Sequence, residues 1–298
     1  MMEILDCIGN TPLVRLPNDF THTKATILIK LEEYNLGGSI KSRVGHQMVI
    51  DAEKDGRINI NRPEKNTILE ATGGNTGIGI AQLCAIRGYH CILVVPDNYS
   101  KVRVDLLRYM GAEVILSDHL IGNDSHILKA YELLEKHPDY IYMNQLNNPS
   151  NSKAHYLGTG QEILRQCNMQ IDCFVAGIGS GGTITGVGKA IKEKYLSCKI
   201  IGVQPNGCDV LKGKAIPHII QGMAIGQIPE VLDASIVDEM INVTDKEVEE
   251  GKTCISKTLG LYLGYSSIAN IIGAIQVAKN MKNDKIIVTV SPDGGRNY

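Results

Sequence analysis

Tryptophan is absent from the 298-residue chain and phenylalanine occurs only twice. Stacking platforms for single-stranded nucleic acid are built from such rings, so that class of partner is not expected. Neither sign of charge dominates: 30 Lys and Arg stand against 32 Asp and Glu, a formal net charge of −2. A basic face for phosphate backbones or anionic membranes is therefore not indicated. Long apolar runs are missing too. The longest, such as Ile286–Val290, have strand length, far short of the ~20 residues that span a bilayer. Met1–Asp6 lack a basic region followed by an apolar stretch, so no secretory signal is expected. The eight cysteines (Cys7, Cys84, Cys91, Cys167, Cys173, Cys198, Cys208 and Cys254) never fall at C-x-x-C spacing, and most lie in or beside apolar runs. That pattern points to reduced, mostly buried thiols in a cytoplasmic protein, with no metal site and no disulfide.

What is present is ordinary in bulk, 43% apolar and 21% charged, and the length allows two domains. Apolar runs of strand length recur at Ile27–Leu31, Thr67–Glu70, Cys91–Val95, Glu113–Leu116, Tyr140–Met143, Cys173–Ala176, Lys199–Val203 and Lys285–Val290. Most are continuous rather than alternating, as parallel strands covered on both faces are. Helical patterns lie between them; Ile184, Val187, Ile191 and Tyr195 share one face at helical spacing. The fold class read from this is α/β, with open, mostly parallel sheets flanked by helices. The polar, turn-rich stretch Asn144–Asn151 separates two halves. The expected domains are 1–145 and 146–298, with the first segment able to pack on the other domain.

Strand, glycine loop and helix follow one another twice, at 67–86 and at 173–195. Gly177-Ile178-Gly179-Ser180-Gly181-Gly182-Thr183 opens an amphipathic helix, so its backbone N–H groups can converge on an anion at the positive end of the helix dipole. The loop also fits G-x-G-x-x-G through Gly177, Gly179 and Gly182. Against a dinucleotide, the next strand ends in Gln204 without the acidic residue a ribose requires. Thr72-Gly73-Gly74-Asn75-Thr76-Gly77 has no Lys after its glycine and is not a P-loop. It can grip a carboxylate or simply cap a helix. Lys41 lies in Asn35-Leu36-Gly37-Gly38-Ser39-Ile40-Lys41-Ser42-Arg43, a glycine turn entering a helix. A lysine amine together with an anion cradle suggests a covalently held phosphorylated aldehyde, pyridoxal phosphate. Such an amine needs a lowered pKa, from burial or from a cation such as Arg43. Taken singly, Ser266 and Ser267 read as helix caps, Gln145, Asp233 and His155 as structural or solvated residues, and Asp245–Glu250 as an exposed first helical turn.

Together these segments resemble the cysteine synthase and cystathionine β-synthase family, the fold-type II pyridoxal phosphate enzymes, over nearly the whole chain. Ile8-Gly9-Asn10-Thr11-Pro12-Leu13-Val14 resembles the family's opening I-G-N-T-P-L-V, and Gly38-Ser39-Ile40-Lys41-Ser42-Arg43 resembles G-S-V-K-D-R, whose lysine carries the cofactor. Thr72–Gly77 is similar to T-S-G-N-T-G, where the Asn bonds the ring hydroxyl and the loop holds the substrate carboxylate. Gly179-Ser180-Gly181-Gly182-Thr183 is similar to the G-T-G-G-T phosphate cup, and Gly264-Tyr265-Ser266-Ser267 to G-I-S-S, whose first serine faces the pyridine nitrogen. Gln145 matches the carboxylate-holding glutamine. Pro292–Tyr298 resembles P-D-S-G-E-R-Y. The resemblance implies Lys41 as catalytic residue. It implies Lys41, Asn75, Gly179, Ser180, Gly181, Gly182, Thr183 and Ser266 as cofactor contacts, and Thr72, Gly73, Gly74, Asn75, Thr76, Gln145 and Gly222 as substrate contacts.

The departures from the family pattern surround the substrate. Gly73 replaces a Ser, Ile268 a Gly, and Met223-Ala224-Ile225-Gly226-Gln227 the sequence I-G-A-G-F. Ala154-His155-Tyr156 looks like the cystathionine β-synthase version of its segment. The resemblance ends at Tyr298, so the regulatory domain of some relatives is not expected. The activity it implies is β-replacement, O-acetylserine with sulfide giving cysteine. Serine, cysteine or O-phosphoserine as donor stand as alternatives, as do a nicotinamide-dependent enzyme and a non-catalytic relative. Small amino acids and a second copy of the chain are the implied partners, with an acetyltransferase tail by analogy only.

Overall fold

The computed structural model describes residues 3–72, 74–122, 124–281 and 284–297. Its strands, in chain order, are β1 (Leu13–Arg15), β2 (Thr26–Leu31), β3 (Thr67–Ala71), β4 (His90–Pro96), β5 (Glu113–Ser117), β6 (Ile141–Tyr142), β7 (Cys173–Gly177), β8 (Lys199–Pro205), β9 (Glu239–Val243) and β10 (Ile286–Ser291). They form two sheets, one in each of two compact units. The larger unit is Met1–Ile40 with Ser152–Tyr298, the smaller Lys41–Asn151. No helix among the described residues is long and apolar enough to cross a membrane.

The larger unit's sheet has the order β1-β2-β10-β7-β8-β9, parallel throughout except for the β1–β2 edge. Side chains alternate across it and fill two cores. Ile27, Ile29, Val175, Ile201, Val203 and Ile287 pack with Ile268, Ile271 and Ala274 of the helix Tyr265–Lys279. Leu28, Phe174, Ile200 and Val288 pack with Ile184, Val187 and Ile191 of the helix Gly182–Lys194. Fully burying each such chain contributes about 1.5–3 kcal/mol. Tyr195 falls outside that helix, at its C-cap.

The units change at Ile40/Lys41 and at Asn151/Ser152, and the first segment, which the sequence reading allowed to pack on the other domain, groups with the second half. The first 40 residues belong with 152–298 because β2 lies beside β10 and supplies both cores. A buried lysine adds a tie. The Lys30 ammonium reaches Glu162 at 2.7 Å, the Thr11 carbonyl at 2.6 Å and Gln166 Oε1 at 2.8 Å. A buried cation so satisfied is tolerated; removing its anion alone typically costs about 3–5 kcal/mol.

In the smaller unit β5-β4-β3-β6 are all parallel. Leu69, Ala71, Ile92 and Val94 pack on Ala130 of the helix Ser125–Lys136. The helices Lys41–Lys54 and Asn75–Arg87 cross at two glycines. A Cβ on Gly45 would lie 2.6 Å from the Gly79 carbonyl carbon, and one on Gly79 would lie 2.6 Å from the Lys41 carbonyl oxygen. Gly79 is one turn past Asn75, so the contact fixes Lys41 against the first turn of the loop-bearing helix.

Candidate active site

Lys41 is the first residue of its helix. Burial lowers its amine to about 8 from the usual 10.5, and the Glu70 carboxyl pulls weakly the other way. The sequence offered burial or Arg43 as the cause; burial is the one that acts. Glu70, the last residue but one of β3, lies on the face opposite Leu69 and Ala71, because side chains alternate along a strand. Its Oε1 accepts the Gln145 N–H at 3.4 Å, while Oε2 is buried with no partner among the described residues. Burial raises its carboxyl to about 8, so at neutral pH the group near Lys41 is largely uncharged.

The loop after β3 is bound into the same unit. The Gly74 N–H donates to Thr72 Oγ1 at 3.2 Å, and Thr76 Oγ1 donates to Gln145 Oε1 at 2.6 Å. Asn151 Nδ2 donates to the Gln145 carbonyl at 2.8 Å. The Gln145 side chain also hydrogen-bonds the Glu70 carboxyl, so this glutamine ties the loop to the strand that carries Glu70. Asn75 opens the helix, whose dipole favours a carboxylate there. Lys41, Thr72, Gly74, Asn75, Thr76 and Gln145 thus belong to one unit; Gly73 lies outside the described residues.

Gly179–Thr183, Ser266 and Gly222 belong to the larger unit. There β7 runs into a loop with no room for a side chain at two of its glycines. A Cβ on Gly179 would meet the Gly222 carbonyl oxygen at 2.0 Å, and Gly181, at φ +81°, would meet Leu232 Cβ at 2.6 Å, whereas at Gly177 the neighbour is the flexible end of Met223. Glycine is required for the close approach, and the loop delivers its N–H groups to the start of the helix Gly182–Lys194. Asn270 fixes the loop's entry. Its Oδ1 accepts the Gly177 N–H at 2.7 Å and its Nδ2 donates to the Val290 carbonyl at 2.9 Å. Sequence reasoning missed Asn270. The available signal was one polar residue inside the apolar stretch Ile268–Ile272.

Ser266 and Ser267 are not the helix caps they were read as. Gly264 is the N-cap, which places the two serines inside the first turn. Ser267 Oγ donates to the Asp293 carbonyl at 2.9 Å. Ser266 is buried, one turn before Asn270, and its hydroxyl has no hydrogen-bond partner among the described residues. His155 is fully buried, with Nε2 3.3 Å from Thr183 Oγ1. Asp233 accepts from Ser235 of its own turn and pairs with Lys189 at 3.3 Å. Thr244 and Glu247 form a capping box that starts the helix Asp245–Leu259, as the acidic run implied.

A model of the family described as pyridoxal-phosphate dependent enzyme matches residues 4–293. The chain belongs to that family. It is 40% identical over 298 residues to a cysteine synthase of Staphylococcus aureus, covering 99% of this chain and 94% of the relative. It is 39% identical over 306 aligned positions to a cystathionine beta-synthase of Dictyostelium discoideum, covering all of this chain and spanning 61% of that longer protein. A solved structure of a hydrogen sulfide-producing enzyme from Fusobacterium nucleatum superposes with a TM-score of 0.92 at 38% identity, covering 100% of this chain and 99% of that one. The fold is accordingly the fold-type II pyridoxal phosphate architecture.

The residues in place fit such a cofactor. A buried amine of reduced proton affinity suits an aldehyde. The glycine loop suits a phosphate. The unpaired Ser266 hydroxyl is a neutral group of the kind a ring nitrogen accepts. The dinucleotide reading of Gly177–Gly182 gives way. At the end of β8, where a ribose-binding acid is required, Gln204 is consumed within the fold, bonding Asn242 at 3.0 Å and the Val210 N–H at 3.0 Å.

Proposed function

We propose that this family member catalyses β-replacement on a small amino acid, with an O-acetylserine-type donor and sulfide as acceptor, in the manner of a cysteine synthase. The observation that carries the reading is the buried Lys41 amine, held at about 8, at the first turn of a helix whose Lys41 carbonyl lies against Gly79 of the helix that Asn75 opens. Bound pyridoxal phosphate supplies an electron sink for charge developing at the substrate α-carbon. Lys41 Nζ is the group that would hold the cofactor's aldehyde, and as a buried amine of lowered proton affinity it would serve as the base for the substrate α-proton when free. Such general-base catalysis typically contributes ~10²–10⁴-fold. Gln145, the Asn75 helix terminus and Thr72 orient the substrate carboxylate. Gly179, Ser180, Gly181, Gly182 and Thr183 anchor the phosphate. Ser266 Oγ, buried and neutral, would be the partner offered to the ring nitrogen, and a neutral partner there would temper the sink and favour departure of a β-substituent over transamination.

A second reading, with serine, cysteine or O-phosphoserine as donor, is favoured by the strap beside the glycine loop. Met223 packs over Gly177, and Ala224 takes φ +48° where the family pattern has glycine. Titrating the yellow holoenzyme with each candidate donor and analysing products after adding sulfide or a thiol decides between them. A spectral change and cysteine formed from O-acetylserine support the first reading. No α-proton exchange with any of these donors would contradict both. Assembly as a homodimer belongs to the same proposal, and sedimentation tests it.

A further inference from the structure

His155 has no part in the chemistry above, yet it is fully buried and both ring nitrogens meet threonine hydroxyls. Nδ1 lies 3.1 Å from Thr159 Oγ1, and Nε2 lies 3.3 Å from Thr183 Oγ1. The ring is rigidly backed. His155 opens a π-helical turn, His155–Gly160, that packs on the helix Gly182–Lys194. A Cβ on Gly186 would lie 2.2 Å from the Ser152 carbonyl and 2.8 Å from His155 Cβ, and one on Gly160 would lie 2.7 Å from Ala190 Cβ. Two glycines thus allow a close approach that leaves the imidazole little freedom. π-Bulges of this kind often accompany functional positions.

We propose that His155 is a positioning residue that sets the direction of a hydrogen-bond chain, Thr159 O–H to Nδ1, Nε2–H to Thr183 Oγ1, and Thr183 O–H outward to the cofactor phosphate. The chemistry of the groups fixes this direction. A phosphate oxygen only accepts, so Thr183 must donate to it, and its oxygen must then accept from Nε2–H. A neutral imidazole with its proton on Nε2 has an acceptor at Nδ1, which the Thr159 hydroxyl supplies with a donor. Reversed, the chain turns the Thr183 hydroxyl toward the ring and away from the anion. The inference rests on the proposed seat of the phosphate in Gly179–Thr183 and adds residues that no glycine motif contains.

The test measures affinity for pyridoxal 5′-phosphate and for pyridoxal, which lacks the phosphate, on the protein stripped of cofactor, together with cofactor release from the holoenzyme. In His155→Leu the preference for the phosphorylated aldehyde should fall roughly tenfold or more, as expected for a lost hydrogen bond to a charged group, while pyridoxal affinity stays near wild type. His155→Gln, which keeps a donor near the Nε2 position, should retain most of the preference. Thr159→Val, which removes the donor to Nδ1 and frees the ring to reverse, should lose part of it. Equal losses for both aldehydes, or Gln behaving as Leu, would reduce His155 to a packing role and overturn the proposal. Should His155→Leu fail to fold, the Gln and Val variants still decide; an unchanged preference in Thr159→Val overturns the chain's direction. A wild-type protein that binds neither aldehyde refutes the functional reading itself, a separable outcome.

Discussion

At the scale of residues the account turns on two groups moved from their ordinary proton affinities by burial. Lys41 sits at about 8, so roughly a tenth of its amine is neutral at pH 7, about 300-fold more than for an ordinary lysine. Trapping of the cofactor-free protein with an aldehyde and borohydride, followed by peptide mass spectrometry, should show Lys41 labelling that rises with pH and levels off above about 8; a rise continuing toward 10.5 would contradict burial as its activator. Glu70 carries the opposite dependence. Its folded carboxyl is raised from 4.5 to about 8, so between these values the folded chain binds a proton that the unfolded chain has lost. Stability from this group is full below 4.5 and declines as pH rises through about 8. Glu70→Gln, neutral throughout, should flatten the fall in melting temperature between pH 5 and 9, and parallel curves for the two proteins would refute the assignment. Lys41 was legible from its glycine turn. Glu70 was not, because it reads as one polar residue at the end of a strand, and only the fold turns it toward the Lys41 side of the sheet.

At the scale of elements, two positions test how the loops are held. Ala224 occupies φ +48°, a left-handed conformation that costs a residue with a Cβ about 1–2 kcal/mol. Ala224→Gly should therefore raise stability by up to ~1 kcal/mol once the entropy of glycine in the unfolded chain is allowed for. Urea denaturation reads this directly, and a loss of stability would mean that the strap is not strained. Gly79→Ala should do the reverse, since its Cβ would press within 2.6 Å of the Lys41 carbonyl oxygen. A cost of about 1–3 kcal/mol is expected for such overpacking, with slower attachment of the cofactor at Lys41. The buried strands were legible because parallel strands covered on both faces are continuous in Ile, Val and Leu. β1 and β9 escaped because they are edges: one is three residues long, and the other exposes Glu239 and Asn242. Ser266 was misread as a cap because the polar pair follows a glycine, and a Gly-Tyr-Ser-Ser string does not say which residue ends the loop.

At the scale of the whole molecule, the buried Lys41 amine and the loop after β3 belong to residues 41–151, and the glycine loop Gly177–Thr183 and Ser266 to the remainder. That the first segment could pack on the other domain came from the family resemblance; local patterns alone do not show it, because it depends on β2 lying beside β10, some 260 residues later in sequence, a pairing that only the assembled sheet reveals. The functional proposal depends above all on Lys41 carrying pyridoxal phosphate covalently. The most direct measurement is the visible spectrum of the purified protein, followed by borohydride reduction and peptide mapping, with Lys41→Ala in parallel. The account predicts a yellow protein whose reduced cofactor maps to Lys41, and a variant that holds no borohydride-fixed cofactor. A colourless protein that takes up no added pyridoxal phosphate, or a reduced adduct on another lysine, would contradict it.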